Sequence, residues 1–228
     1  MQIRQHWRDP WLVTLPSILA DTLKPLMRKK AHFSLLIDHA LPLTLAAAVL
    51  ALASFGDVTQ GLLRYDRTAI GNGEWWRGLT GHLVHLNSTH LALNLIGLVL
   101  CAPLVGAGLR GIKGVAILCG AAAACSLGLW LFNPEVQWYS GLSGVLHGLL
   151  LGGALGLPSH QRRWRGIIGM LIIVKLLGEQ LIGPSLSTQN LIGYAVVVDA
   201  HLYGAVGGVF GWLVYRQVRN WYTCPRHR

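Results

Sequence analysis

The sequence predicts an all-α membrane protein: a bundle of six spanning helices with both termini on the cytoplasmic side. Three observations lead there. Of 228 residues, 53% are hydrophobic and only 12% are charged, about half the charged share of an ordinary soluble domain. The apolar residues gather into six stretches, most of them near the ~20 residues that a spanning helix needs. The basic residues fall in alternate connections, which sets an orientation.

The spans are expected near 34–55, 85–104, 112–132, 142–157, 166–182 and 194–215. Lipid excludes unpaired backbone and open strands, so each is read as a helix. The first ends in Ala51, Leu52 and Ala53, which resembles a signal-peptide cleavage site. Its apolar stretch is about twice the usual length and its basic lead-in runs about 30 residues, so it is expected to remain as a true span.

Arg4, Arg8, Lys24, Arg28, Lys29 and Lys30 precede span 1, and Arg110 and Lys113 lie between spans 2 and 3. Arg162, Arg163 and Arg165 lie between spans 4 and 5, and Arg216, Arg219, Arg226 and Arg228 follow span 6. The other connections are balanced or acidic. Every basic cluster thus falls on one side, the cytoplasmic one. Residues 1–33 form a basic arm whose Trp7, Trp11, Leu12, Leu15, Ile18 and Leu19 suit either an interfacial amphipathic helix or an unstructured tail. Residues 34–215 form the bundle, and 216–228 a basic cytoplasmic tail.

A formal charge of +10 would suit nucleic acid, but it is split into short clusters with no continuous basic face, so a nucleic-acid partner is excluded. Cys101, Cys119, Cys125 and Cys224 show no CxxC spacing. They read as small buried apolar residues.

With both ends inside, spans 2, 4 and 6 start at the outer face. His90 and Asn94 lie early in span 2, Ser143 early in span 4 and His201 early in span 6. Polar groups from three helices therefore share one depth below the outer surface, where they are costly and must pair or meet water. Any one of them alone reads as a helix–helix hydrogen bond worth about 0.6 kcal/mol. Together they supply a nucleophile, a base and two donors.

Span 4 is about 24 Å long at 1.5 Å per residue, shorter than the ~30 Å hydrocarbon core. Its start is expected to be recessed, leaving room for water above Ser143. Free backbone N–H groups at that helix start favour a developing negative charge. Two histidines compete for the role of base. His147 lies one turn after Ser143 on the same face; His201 comes from span 6, whose Gly204 and Gly208 allow close helix approach. Spacing alone leaves both open. Asp199 lies two residues from His201 and so faces away from it. Lys175 and Glu179, one turn apart in span 5, read as a mutual ion pair, with a role in proton movement as the sharper alternative. His82 and His85 stand at the water boundary, and no HExxH motif or nearby acidic ligand points to a metal.

These residues resemble the rhomboid intramembrane serine proteases, through EWWRGLTGHLVHLNSTHLALN, GLSGVLHG and AHLYGAVGG, in that order on spans 2, 4 and 6. The resemblance covers about residues 35–215. It implies a dyad of Ser143 and His201 without an acidic third member, and oxyanion donors from His90, Asn94 and the Ser143 backbone. The resemblance further implies that Gly141 and Leu142 belong to the oxyanion and substrate-binding site. It also implies supporting roles for His85, for His147 where many relatives carry an aromatic, and for Trp76 and Arg77 of the first outer loop. Span 5 and residues 183–193 would resemble the lateral gate and cap.

The wording WYSGLSGVLHGLL and the short build look closest to the rhombosortase branch. That branch implies a bacterial inner-membrane enzyme open to the periplasm, with no cofactor. Its partners would be the lipid bilayer and secreted proteins whose carboxyl tails join a Gly-Gly region, an apolar span and basic residues. The alternatives are a general rhomboid protease of other single-span substrates, a non-catalytic rhomboid-like chaperone, and a small transporter. The chaperone would lack the serine or histidine, and the transporter would show inverted repeats.

Overall fold

The computed structural model describes residues 39–223; the expected amino-terminal arm, the start of span 1 and Cys224 lie outside the described residues. The chain is mostly helical. Helix α1 (His39–Ala53) is followed at a bend of 111° by α2 (Asp57–Leu63). The first connection then folds as strand β1 (Tyr65–Asp66), α3 (Arg67–Gly71) and α4 (Arg77–Thr80). Helix α5 (Ser88–Val105) begins where the Asn87 side chain accepts from the His90 N–H, an N-cap that satisfies one orphan donor. Pro103 falls in its last turn, and a 3₁₀ turn over Gly106–Leu109 finishes it.

Helix α6 (Ile112–Phe132) leads through strand β2 (Trp138–Tyr139) to α7 (Ser143–Leu155). Helix α8 (Arg162–Ile182) ends at Gly183, bends by 85° into α9 (Leu186–Ile192), and α10 (Val198–Thr223) closes the chain. Helices α1, α5, α6, α7, α8 and α10 coincide with the six apolar stretches, and the last five start within a few residues of the expected positions. By length and apolarity, α5 with its 3₁₀ turn and α6 can each cross a bilayer alone, while α1–α2 and α8–α9 qualify only as bent pairs.

The β1–β2 ribbon was not foreseen. It pairs Tyr65 with Tyr139 and Asp66 with Trp138, in connections where strands need not meet lipid. Its effect is to tie the first connection to the residues just before Ser143.

Helix α7 is the core. Val145, Leu146, His147, Leu149 and its glycines are buried, and thirteen residues make it only about 20 Å long. Helix α10 packs between α6 and α7 through small residues on both sides. A Cβ added at Gly204 would lie 2.0 Å from the Gly144 carbonyl oxygen, and one at Gly208 would lie 2.2 Å from that of Gly148. Backbones meet here without side chains between them, which is how helices associate where lipid supplies no hydrophobic drive.

The outer surfaces are apolar. Leu100, Phe132, Met170, Leu181 and Phe210 are all exposed, and large apolar side chains turned outward from several helices suit lipid rather than water. Of the cysteines, Cys101 and Cys125 are buried as expected, whereas Cys119 is exposed on α6. That corrects the expectation for Cys119: it faces outward on a lipid-compatible surface.

Candidate active site

Ser143 is the first residue of α7, so its N–H lies among those without intrahelical partners. Its Oγ stands 3.0 Å from His201 Nε2. His201 lies in the first turn of α10 and is buried, carried to the serine by the close seam that Gly204 permits. Of the two candidate histidines, the structure brings His201 to the hydroxyl. His147 Nδ1 instead donates to the Ser143 backbone carbonyl at 2.7 Å. Its ring stacks on His201, centroids 4.3 Å apart and planes 17° apart. An aromatic-like shelf for the imidazole is thus made by a histidine.

Glu179 was expected to pair with Lys175, with a role in proton movement as the sharper alternative. Lys175 Nζ does bind Glu179 Oε1 at 2.6 Å. The other oxygen, Oε2, accepts from His201 Nδ1 at 2.9 Å. Asp199 is not near this chain of bonds; it accepts from Asn133 Nδ2 at 2.9 Å, and Asn133 Oδ1 accepts from Tyr203.

On the other side of Ser143 stands α5. Its His90 and Asn94 are buried, and the His90 ring lies against Gly141, where a Cβ would fall 2.5 Å from His90 Cε1. Gly141 has φ +129°, a conformation that side chains rarely adopt, and its N–H donates to the Gly81 carbonyl at 3.0 Å. Asn94 Nδ2 spends one N–H on the His90 carbonyl of its own helix, leaving the second. Among the described residues, His90 Nδ1 and both ring nitrogens of His85 are buried without a hydrogen-bond partner, and the two rings meet edge to face at 5.2 Å. The Leu142 side chain is fully buried in the apolar core, so only its backbone borders the site.

The first connection is held by Arg77, whose Nη1 donates to the Gly61 and Arg64 carbonyls and whose Nε pairs with Glu74. Trp76 beside it is exposed. Gln60 was missed by sequence reasoning. It donates to the His85 carbonyl and accepts from Ser140 Oγ at 3.1 Å, joining α2 to the segment before Ser143. A lone glutamine in a connection carries no periodic signal that could have revealed this.

His147, Glu179 and His201 offer ligand atoms within 4.8 Å of one another. A metal would have to displace existing bonds: both Glu179 oxygens, both His201 nitrogens and His147 Nδ1 are already engaged. The arrangement suits proton transfer between a hydroxyl and an imidazole better than metal chelation.

A profile of the Rhomboid domain matches residues 72–217. The chain is also similar to the putative rhomboid protease YdcA of Bacillus subtilis (strain 168), 27% identical over 150 residues, covering 61% of this chain and 66% of that protein. A second relative, the rhomboid protease GluP of the same strain, is 27% identical over 145 residues, covering 64% of this chain and 27% of GluP. The chain therefore spans just under two thirds of the first relative and about a quarter of the second. The domain match takes in everything from α4 to most of α10, the helices bearing Ser143, His201, His90 and Asn94 included. On that extent of agreement this all-α, multi-pass membrane protein belongs to the rhomboid family.

Proposed function

We propose that this protein is an intramembrane serine endopeptidase in which Ser143 is the nucleophile and His201 the general base. The observation that carries the reading is the 3.0 Å contact between Ser143 Oγ and His201 Nε2 at the start of a short helix. The two relatives' description as rhomboid proteases supports it. As Oγ attacks a peptide carbonyl, His201 takes its proton. The oxyanion that forms is met by the Ser143 N–H and by side-chain donors from His90 and Asn94. His201 then passes the proton to the leaving amine, and water hydrolyses the acyl-enzyme by the same route in reverse. The unpartnered ring nitrogens of His85 and His90 support a polar recess on the oxyanion side.

The finer reading is a bundle of six spans over residues 34–215 with both termini cytoplasmic, set in a bacterial inner membrane with the site open to the periplasm. Its substrates are secreted or surface proteins, cut in a carboxyl-terminal tail of Gly-Gly, apolar span and basic residues. The likeness of WYSGLSGVLHGLL to the rhombosortase branch and the alternation of basic clusters support this.

The test uses the purified full chain in lipid nanodiscs with a reporter carrying such a tail, beside a single-span reporter lacking the Gly-Gly region. Cleavage of the first, lost in Ser143→Ala and His201→Ala, is expected. Equal cleavage of both reporters would replace the tail-specific reading with a general rhomboid protease. Undiminished cleavage by Ser143→Ala would end the nucleophile assignment.

A further inference from the structure

We infer that Glu179 is a third member of this site, a positioning carboxylate that orients His201 and offsets the charge it gains; the inference rests on the Ser143–His201 reading above. The bonds form one line across three helices. Lys175 Nζ meets Glu179 Oε1 at 2.6 Å, Glu179 Oε2 meets His201 Nδ1 at 2.9 Å, and His201 Nε2 meets Ser143 Oγ at 3.0 Å. Helix α8 supplies the first two residues, α10 the third and α7 the last.

A carboxylate can only accept hydrogen bonds, so its partner Nδ1 must carry the ring proton. That choice puts the lone pair on Nε2, facing the serine hydroxyl. The other tautomer would present an N–H to Oγ and leave it without a base. When Oγ gives up its proton, His201 becomes an imidazolium with two N–H groups. One of them faces a carboxylate oxygen 2.9 Å away. Glu179 neither gains nor loses a proton during the cycle; it holds the ring and balances its charge, as the third residue of a serine–histidine–acid arrangement does.

Lys175 explains how such an acid is tolerated at membrane depth. An isolated carboxylate there is costly, and an ammonium on its other oxygen makes the resting pair neutral. Ion pairing alone would be satisfied with both side chains turned outward, as Lys175 is, half-exposed. The Glu179 side chain is instead only 16% exposed, and it lies three residues after Leu176, one of two buried residues on α8. The helix is thus rotated to aim this carboxylate inward. Asp199, nearest to His201 in sequence, is spent on Asn133. Among the described residues, the other titratable groups near the imidazole are His147 on α7, stacked on it, and His90 on α5.

The test measures kcat, KM, the pH–rate profile and fluorophosphonate labelling of Ser143 for the purified full chain and its Glu179→Gln, Glu179→Asp and Ser143→Ala variants. Glutamine keeps the shape and removes the charge, and its amide N–H can turn toward Nδ1 and favour the wrong tautomer. The expected result is a fall in kcat and in labelling rate of about 100- to 1000-fold in Glu179→Gln, with KM within about twofold. The acid limb of its profile should move to lower pH, because the imidazolium has lost its counter-charge. Glu179→Asp should recover part of the rate.

Wild-type kcat and an unmoved acid limb in Glu179→Gln, with Ser143→Ala inactive, would overturn the inference and leave the dyad standing. Activity in Ser143→Ala would instead remove the underlying reading. Should Glu179→Gln melt at a lower temperature, the aspartate variant decides. Stability restored without rate overturns the proposal, and rate restored with the charge upholds it.

Discussion

The Gly204 Cα and the Gly144 carbonyl oxygen are in direct backbone contact: a single added Cβ at Gly204 would stand 2.0 Å from that oxygen. Gly144 follows Ser143, and Gly204 lies three residues after His201 on the same face of α10. The distance that matters for proton transfer is therefore set by a seam with no side chain in it.

Gly204→Val should push α10 away from α7 and carry His201 off Ser143. Overpacking of this kind costs about 1–3 kcal/mol, and activity should fall by at least about tenfold, the equivalent of 1.4 kcal/mol. Melting in detergent and tail cleavage report the two effects. Gly166→Val on α8, where an added Cβ meets nothing within 4 Å, serves as the control. Unchanged cleavage by Gly204→Val would show that the seam does not set the contact.

Gly141→Ala should impair catalysis for two separable reasons. The backbone at φ +129° resists a side chain at a cost of about 1–3 kcal/mol, and the new methyl would strike the His90 ring. In a double-mutant cycle with His90→Ala, the steric part disappears and the backbone part remains, so the two substitutions should be non-additive. Strict additivity would mean that His90 and Gly141 do not meet.

His147→Phe should keep the shelf under His201 and lose only the bond to the Ser143 carbonyl, worth about 1 kcal/mol. Cleavage within about tenfold of the parent is expected. His147→Ala removes both ring and bond and should be slower than the phenylalanine variant. A phenylalanine variant as inactive as Ser143→Ala would reassign the base to His147.

His82 makes stability depend on pH. Its imidazole, in the connection between α4 and α5, is buried against the Ala122 carbonyl and Ser126 Oγ at 3.2 and 2.9 Å, and burial pushes it down from 6.5 to about 4. The unfolded chain takes up a proton near 6.5, the folded one only near 4. Stability is thus complete above the higher value and is lost as pH falls toward the lower, by on the order of 3 kcal/mol. The melting temperature should drop across that window, and His82→Gln should flatten the drop. An equal drop in both would assign it to other groups.

The helices were legible because hydropathy is a local property. Apolar runs near the required length place α5, α6 and α8 within a few residues, and the Gly183 terminus and Asn87 cap lie where turn chemistry allows. Counting along each stretch also put His90, Asn94, Ser143 and His201 early in α5, α7 and α10. The ribbon of Tyr65 and Tyr139 and the bridge through Gln60 did not, because both join segments about 75 to 80 residues apart by single contacts that leave no period.

What the chain by itself determined is which residues are helical, how far along its helix each polar group lies, and where small residues let helices touch. Those are consequences of bond geometry and transfer free energy acting within one segment. Which histidine reaches Ser143, and that Glu179 bridges Lys175 and His201, depend on how three helices rotate and cross. For α7 and α10 the approach is set by backbone contact at Gly144, Gly148, Gly204 and Gly208, a relation between helices that the period of either one does not contain.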